Sequence, residues 1–214
     1  SAITDNTYRL EVNLTSGNAL IKSGTTTVTT HQTDILNNIE NITGTSGDDT
    51  FIGDSKDNIF DGKTGNDTVS YANITDSNTD IIIDLKNNIA TGNGTDTLTS
   101  IENATGGAGD DIIKVSTDSE SNVLDGSTGI DTVSYEYYST DVTRDLSNTT
   151  TVQDDDILKG FENIIGGTGN DSFKGNSLNN TLDGGSSGID TVDYSLASLK
   201  IVADLKTATK TVTS

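Results

Sequence analysis

Large apolar residues in this chain tend to come singly. Each follows a polar residue by two positions in a recurring acid-x-U-x pattern, where U is an apolar side chain, and stretches rich in Gly, Asn, Asp and Ser separate one instance from the next. In the middle of the chain the pattern runs Asp96 with Leu98, Glu102 with Ala104, Asp111 with Ile113, Asn122 with Leu124 and Asp131 with Val133, and a looser sixth instance surrounds Asp145-Leu146. One inward residue between polar neighbours is the mark of a short strand. Six such strands in about 60 residues predict three turns of two strands each, matching an 18-residue solenoid turn with a few insertions.

The longer period has its own landmarks. Ile39-Glu40-Asn41, Ile101-Glu102-Asn103 and Phe161-Glu162-Asn163 recur at spacings of 62 and 60 residues. Val-x-Tyr recurs at Val69-Ser70-Tyr71, Val133-Ser134-Tyr135 and Val192-Asp193-Tyr194, and Asp-Leu at Asp84-Leu85, Asp145-Leu146 and Asp204-Leu205. Val12-Asn13-Leu14 reads as an eroded Asp-Leu. The expected division is an eroded N-terminal half-unit over 1–33 and repeat units over 34–95, 96–155 and 156–214, one continuous solenoid cut from a longer array. With six strands per unit the acids are expected to keep to two columns. One is uniformly Asp (Asp34, Asp49, Asp67, Asp96, Asp111, Asp131, Asp156, Asp171, Asp190); the other is mixed (Glu40, Asn58, Asp84, Glu102, Asn122, Asp145, Glu162, Asn180, Asp204).

Three segments fill the pattern most densely: GTSGDDTFI-GDSKDNIFD-GKTGNDTVS from Gly44, GGAGDDIIK-VSTDSESNVLD-GSTGIDTVS from Gly106, and GGTGNDSFK-GNSLNNTLD-GGSSGIDTVD from Gly166. Their nonapeptides approach G-G-x-G-x-D-x-U-x, the repeat of a calcium-loaded parallel β-roll. The fold class predicted is all-β: a right-handed parallel β-roll of roughly ten turns, about 50 Å long at ~4.8 Å per turn. Phe51, Phe60, Val69, Ile113, Leu124, Val133, Phe173, Leu182 and Val192 would form its thin interior ladder.

Composition agrees. Val, Ile, Leu and Phe supply 50 of 214 residues, too few for a thick core, and 33 acidic against 12 basic residues leave a net charge of -21. Such a field repels nucleic acid and anionic lipid and opposes compaction unless cations enter. There is no Cys, so neither disulfides nor thiolate ligation supply cross-links, and with no Pro the turns rest on Gly, Asn, Asp and Ser. No apolar run approaches the ~20 residues that span a bilayer, and Ser1 opens no charged-then-apolar leader.

Calcium takes six to eight oxygens in a forgiving geometry. A tight Gly-rich loop turns carbonyls inward, and the Asp at its end adds a carboxylate. Loops on successive turns lie ~4.8 Å apart, so two carboxylates can grip one ion. Left alone at that distance they repel by about 1 kcal/mol in water, and by more in a drier loop. The long Gly-rich loops precede the all-Asp column, so calcium is expected on that side.

At these residues the chain resembles the repeats-in-toxin (RTX) family of secreted bacterial proteins, over most of residues 34–205. The resemblance implies calcium ligand pairs Asp49 with Asp67, Asp111 with Asp131 and Asp171 with Asp190. It further implies shells completed by carbonyls of Gly44, Ser46, Gly65, Gly106, Ala108, Gly129, Gly166, Thr168 and their neighbours. Asn58, Asn122 or Asn180 takes the sixth position of each central nonapeptide, where the fourth-position glycine is also missing, and this speaks against calcium there; the insertion in Val115–Asp125 adds to the case. Asp34 and Asp156 lack Gly-rich loops, whereas Asp96 follows Gly92-Asn93-Gly94-Thr95 and is an extra candidate. The family also implies export in an unfolded state by type I secretion and folding outside the cell.

Other landmarks take structural readings. Tyr71, Tyr135 and Tyr194 are expected to cover the flank of the roll, Glu40, Glu102 and Glu162 to accept turn amides, and Asn41, Asn103 and Asn163 to serve as turn or ladder amides. His31 is the lone imidazole and reads as a solvated loop residue; with no Cys and no second His, zinc hydrolysis and Ser-His chemistry lack their parts. Carboxylate pairs repeat along the chain instead of marking one pocket, so no glycosidase site is read from them. The Thr25-Thr26-Thr27 run and Thr68, Thr132 and Thr191 are spaced too irregularly for a lattice-matched face, which leaves ice binding a minor alternative. The function expected is non-enzymatic: a calcium-folded structural module of a bacterial surface protein, adhesin, surface layer or filament. Its partners would be calcium ions, then other copies or surface polysaccharide. The alternative is the calcium-folded region of a secreted toxin or hydrolase.

Overall fold

The computed structural model describes residues 8–23, 32–117, 121–151 and 156–195, and those residues are all-β, with no helix. His31, Thr25 to Thr27 and Asp204-Leu205 lie outside them. The strands are β1 (Tyr8–Asn13), β2 (Asn18–Ser23), β3 (Gln32–Ile35), β4 (Asn41–Thr43), β5 (Thr50–Ile52), β6 (Ile59–Asp61) and β7 (Thr68–Ser70). Next come β8 (Ile82–Asp84), β9 (Ile89–Thr91), β10 (Thr95–Thr99), β11 (Asn103–Thr105), β12 (Ile112–Lys114), β13 (Val123–Asp125) and β14 (Thr132–Ser134). The series ends with β15 (Thr143–Asp145), β16 (Ile157–Lys159), β17 (Asn163–Ile165), β18 (Ser172–Lys174), β19 (Thr181–Asp183) and β20 (Thr191–Val192).

Most strands are three residues long because only their middle residue points inward. Those middle residues stack in parallel register. One column runs Val12, Phe51, Val69, Ala104, Leu124, Leu158. A second runs Ile42, Phe60, Leu98 and, past an antiparallel strand, Ile83, Ile113, Val133, Ile164, Leu182. Phe51 pairs with Val69 and Ile42 with Phe60, each pair 18 residues apart along the chain. Phe51 and Phe60 stack with ring centroids 5.3 Å apart. Of the expected ladder residues, Leu182 is only half-buried and Val192 is exposed; the rest are buried. Each fully buried side chain of this size contributes about 1.5–3 kcal/mol.

The strands between glycine triplets depart from a purely parallel roll. From β8 the chain turns back through Leu85–Asn88, with Asn88 at φ 59°, runs antiparallel as β9, then reverses again at Gly92-Asn93-Gly94 into β10. All three strands lie side by side in the nine-stranded sheet, and β10 then stacks on β6. The hairpins β1–β2–β3 form a similar meander in the eight-stranded sheet, with the Asn13-Leu14 turn closing at Gly17, φ 69°.

This meander overturns the two fixed columns. Three consecutive strands remain on one side instead of crossing over, so the parity of side changes per unit becomes odd. Consequently the strands after Asp49 and Asp67 lie in the eight-stranded sheet and those after Asp111 and Asp131 in the nine-stranded sheet; those after Asp171 and Asp190 lie in a separate three-stranded sheet, β15-β18-β20. Likewise Thr68 pairs with Thr50 and Asn103, Thr132 with Ile112 and Asn163, and Thr191 with Ser172, so the threonines make no continuous row.

Candidate metal centre

Each glycine triplet places its first and third Asp just before two strands that pair in parallel, β5 with β7, β12 with β14 and β18 with β20. The amide of Asp49 donates to Asp67 Oδ1 (2.8 Å), that of Asp111 to Asp131 Oδ1 (2.8 Å), and that of Asp171 to Asp190 Oδ1 (3.0 Å). Asp49, Asp67, Asp111, Asp131 and Asp171 are at most 1 % exposed, while Asp190 is half-buried. Burying a carboxylate is costly unless it is paired or coordinated. Ion pairs among the described residues, such as Lys22 with Glu11, Lys56 with Glu40, Lys63 with Asp61, Lys114 with Glu136, Lys174 with Asp145 and Arg144 with Asp156, leave out Asp49, Asp67, Asp111, Asp131 and Asp171.

First and third loops treat their Asp differently. In the first loops Oδ2 accepts the amide of the loop's second residue, Thr45 (2.5 Å), Gly107 (2.5 Å) or Gly167 (2.9 Å). Oδ1 accepts the amide of Leu10 in β1, or of Ile81 or Val142 just before β8 or β15. In the third loops that second residue is left-handed: Lys63 at φ 76°, Ser127 at φ 73° and Gly185 at φ 88°. Its amide turns away to Asp61, Asp125 or Asp183. Asp67 Oδ2 and Asp131 Oδ2 are thereby left buried with no hydrogen-bond partner. Burial first, and then neighbouring carboxylates against the relief of a backbone amide, raise both groups to about 7. Burial also raises Asp111.

Gly44, Gly106 and Gly166 back these carboxylates: a Cβ on any of them would collide with Oδ2 of Asp49, Asp111 or Asp171. Gly65 (φ 140°) and Gly129 (φ 149°) lie against the carbonyls of Gly47 and Gly109 in the loop below. Ser46 and Ala108 are half-buried and Thr168 exposed at the third position of the first loops. Thr168 O accepts the Ser187 hydroxyl at 3.1 Å. Among the described residues no cluster of three or more acidic or histidine side chains is placed to hold a metal. An ion here would therefore draw on two carboxylates and on carbonyls, as oxygen-seeking calcium does. Orphaned carboxylate oxygens and glycine-lined cradles fit that cation.

The Asn-bearing loops at Asn58 and Asn180 are satisfied without one, whereas at the middle loop Asn122 Oδ1 is buried with no hydrogen-bond partner. Asn58 Oδ1 accepts the Asp54 amide (3.1 Å), and Asn180 Oδ1 the Asn176 amide (3.0 Å). Asn122 Nδ2 donates to Glu102 O (2.6 Å), and Asn180 Nδ2 to Glu162 O (2.8 Å). The side-chain N–H meets a carbonyl that a carboxylate would repel.

Asp96 departs from the Asp pairs. The glycines before it form the β9–β10 hairpin turn, and its two oxygens accept the Asn58 amide (2.8 Å) and the Tyr71 hydroxyl (2.6 Å). Asp156 is its counterpart one unit on, accepting the Asn122 amide (3.2 Å), the Tyr135 hydroxyl (3.0 Å) and Arg144 Nη2 (3.1 Å). Tyr71 and Tyr135 are buried anchors from one unit to the next, and Tyr194 is half-exposed. Arg144 is 3 % exposed at a ladder position in register with Phe173, its guanidinium 4.5 Å from the Tyr135 ring centre. The sequence reading missed it. The signal lay in Asp141-Val142-Thr143-Arg144-Asp145-Leu146 set beside Asp80-Ile81-Ile82-Ile83-Asp84-Leu85, which places an arginine where the earlier unit has a core isoleucine.

Two of the three connecting glutamates accept turn amides, Glu102 Oε2 from Asp67 N (2.8 Å) and Glu162 Oε2 from Asp131 N (3.0 Å), whereas the Glu40 carboxylate takes Lys56 Nζ (2.9 Å). Asn103 and Asn163 are ladder amides, accepting from Val123 N (2.7 Å) and Thr181 N (2.8 Å). Among the described residues no helix is long and apolar enough to cross a membrane.

The family model of the RTX calcium-binding nonapeptide repeat matches the chain in four copies, over residues 37–70, 101–115 and 158–192. No curated protein matches it.

Proposed function

Because the chain carries RTX calcium-binding nonapeptide repeats, whose ligand is Ca2+, we propose that it is a structural, non-catalytic module that folds on calcium outside the cell, as a stiff segment of a bacterial surface protein. The parallel stacks are turns of a right-handed β-roll of roughly ten turns, interrupted by antiparallel meanders. Asp49 with Asp67, Asp111 with Asp131 and Asp171 with Asp190 hold the ions, helped by loop carbonyls that include those of Gly44, Ser46, Gly65, Gly106, Ala108, Gly129, Gly166 and Thr168.

One observation carries this reading: the carboxylates of Asp67 and Asp131, each tied through Oδ1 to the amide of its partner Asp, are buried with Oδ2 unpartnered. A bound divalent cation supplies the counter-charge these oxygens lack. At low intracellular calcium the net charge of -21 opposes compaction. At the millimolar calcium outside cells, a site filled at ten times its Kd adds about 1.4 kcal/mol.

Circular dichroism during calcium addition and chelator reversal tests the coupling. The β signal and melting temperature should rise with calcium and fall on its removal. Indifference to calcium would refute the proposal.

A further inference from the structure

The third loop of a triplet has a neighbour on each side, and only one of them is the first loop. On its other side lies the connector that opens the next unit: Ser100-Ile101-Glu102 over Asp67, and Gly160-Phe161-Glu162 over Asp131. The attachment is the same in both places. Gly62 N donates to Thr99 O and Gly126 N to Lys159 O, both at 2.9 Å. The amides of Glu102 and Asn103 donate to Asp67 O (3.1 and 2.9 Å), and those of Glu162 and Asn163 to Asp131 O (3.1 and 2.9 Å). Each glutamate carboxylate returns to accept the amide of the same Asp.

This attachment gathers oxygens. Ser100 and Gly160, at φ 52° and 63°, are left-handed, and their carbonyls point at Gly62 and Gly126. A Cβ on Gly62 would collide with both Ser100 O and Asp67 Oδ2, and one on Gly126 would collide with Gly160 O and the Asp131 side chain. Asp67 and Asp131 are 0 % exposed, and their Oδ2 atoms have no partner.

We propose that each unit junction holds a further calcium site, which shares the third-loop Asp with the site between glycine-rich loops: Asp67 Oδ2, Glu102 and the Ser100 carbonyl at the first junction, and Asp131 Oδ2, Glu162 and the Gly160 carbonyl at the second. The inference rests on the calcium reading above and extends it to the Ile/Phe-Glu-Asn landmark, which then ties successive units together through a cation as well as through amides.

Calcium stoichiometry and affinity, measured by isothermal titration calorimetry and by metal analysis after equilibrium dialysis, test it on the full chain. Glu102→Gln and Glu162→Gln keep an oxygen for the Asp amide while removing the charge. Each variant should bind one calcium fewer than the unaltered chain, or bind it about tenfold or more weakly, and the double variant should lose two. Glu40→Gln is the control: the same landmark, its carboxylate held by Lys56 Nζ at 2.9 Å, should keep the full count. Unchanged stoichiometry and affinity in E102Q and E162Q overturn the junction sites while leaving the loop sites standing. An unaltered chain that binds no calcium overturns both. If the double variant does not fold, the two single variants decide.

Discussion

Removing calcium should turn this protein into one that acid stabilises. Burial and neighbouring carboxylates raise Asp67 and Asp131 from 3.8 to about 7 in the fold. In the unfolded chain both release their protons near pH 4. Between those values the folded state binds more protons, so stability is fully present below about pH 4 and is lost as pH rises through about 7. A shift from 3.8 to about 7 corresponds to about 4 kcal/mol for each group. Burial raises Asp96, Asp111 and Asp156 in the same direction, whereas Asp84 and Asp145, lowered by hydrogen bonds to Tyr137 and Ser147, act oppositely. The assay is urea unfolding followed by circular dichroism in resin-treated, calcium-free buffer from pH 4 to pH 8. Half-molar salt screens the surface charge but reaches the buried pair far less. Stability should fall across the range, Asp67→Asn with Asp131→Asn should flatten the fall, and saturating calcium should reverse its sign, since ligands must be deprotonated to bind. Calcium-free stability that is flat or rises toward pH 8 would refute the reasoning.

Three substitutions probe parts of the fold separately. Arg144→Met strands the buried Asp156 carboxylate and should cost about 3–5 kcal/mol in urea unfolding, by a similar amount with and without calcium. Tyr71→Phe removes the hydroxyl donated to Asp96 and should cost about 1–3 kcal/mol in the same assay. Gly106→Ala drives a Cβ into the Asp111 carboxylate; it should cost about 1–3 kcal/mol and weaken calcium binding in titration calorimetry, in contrast to the first two.

Short-range pattern made much of this legible. The acid-x-U-x spacing located the middle residue of most of the parallel three-residue strands, because such a strand has only one inward position, and the nonapeptide glycines marked the loops that bring Asp49 to Asp67 and Asp111 to Asp131. What escaped is of longer range. Whether the chain crosses over or doubles back after Asp84-Leu85 depends on the turns at Asn88 and Gly92-Gly94, and the latter also passes for a metal-loop glycine run. Doubling back exchanges the sheets on which the acids fall, and the sequence alone does not show that parity. Arg144 escaped because a charged residue in a polar chain is ordinarily exposed. Its burial is evident only beside Tyr135 and Asp156, which come from other turns.

The position of the ions tests the central claim most directly. Crystals grown in calcium, with anomalous scattering measured to locate it, should show peaks between Asp49 and Asp67, between Asp111 and Asp131, and between Asp171 and Asp190, with none held by Asn58, Asn122 or Asn180. Peaks spread evenly over Asp- and Asn-bearing loops, or Asp loops without a cation in saturating calcium, would contradict it.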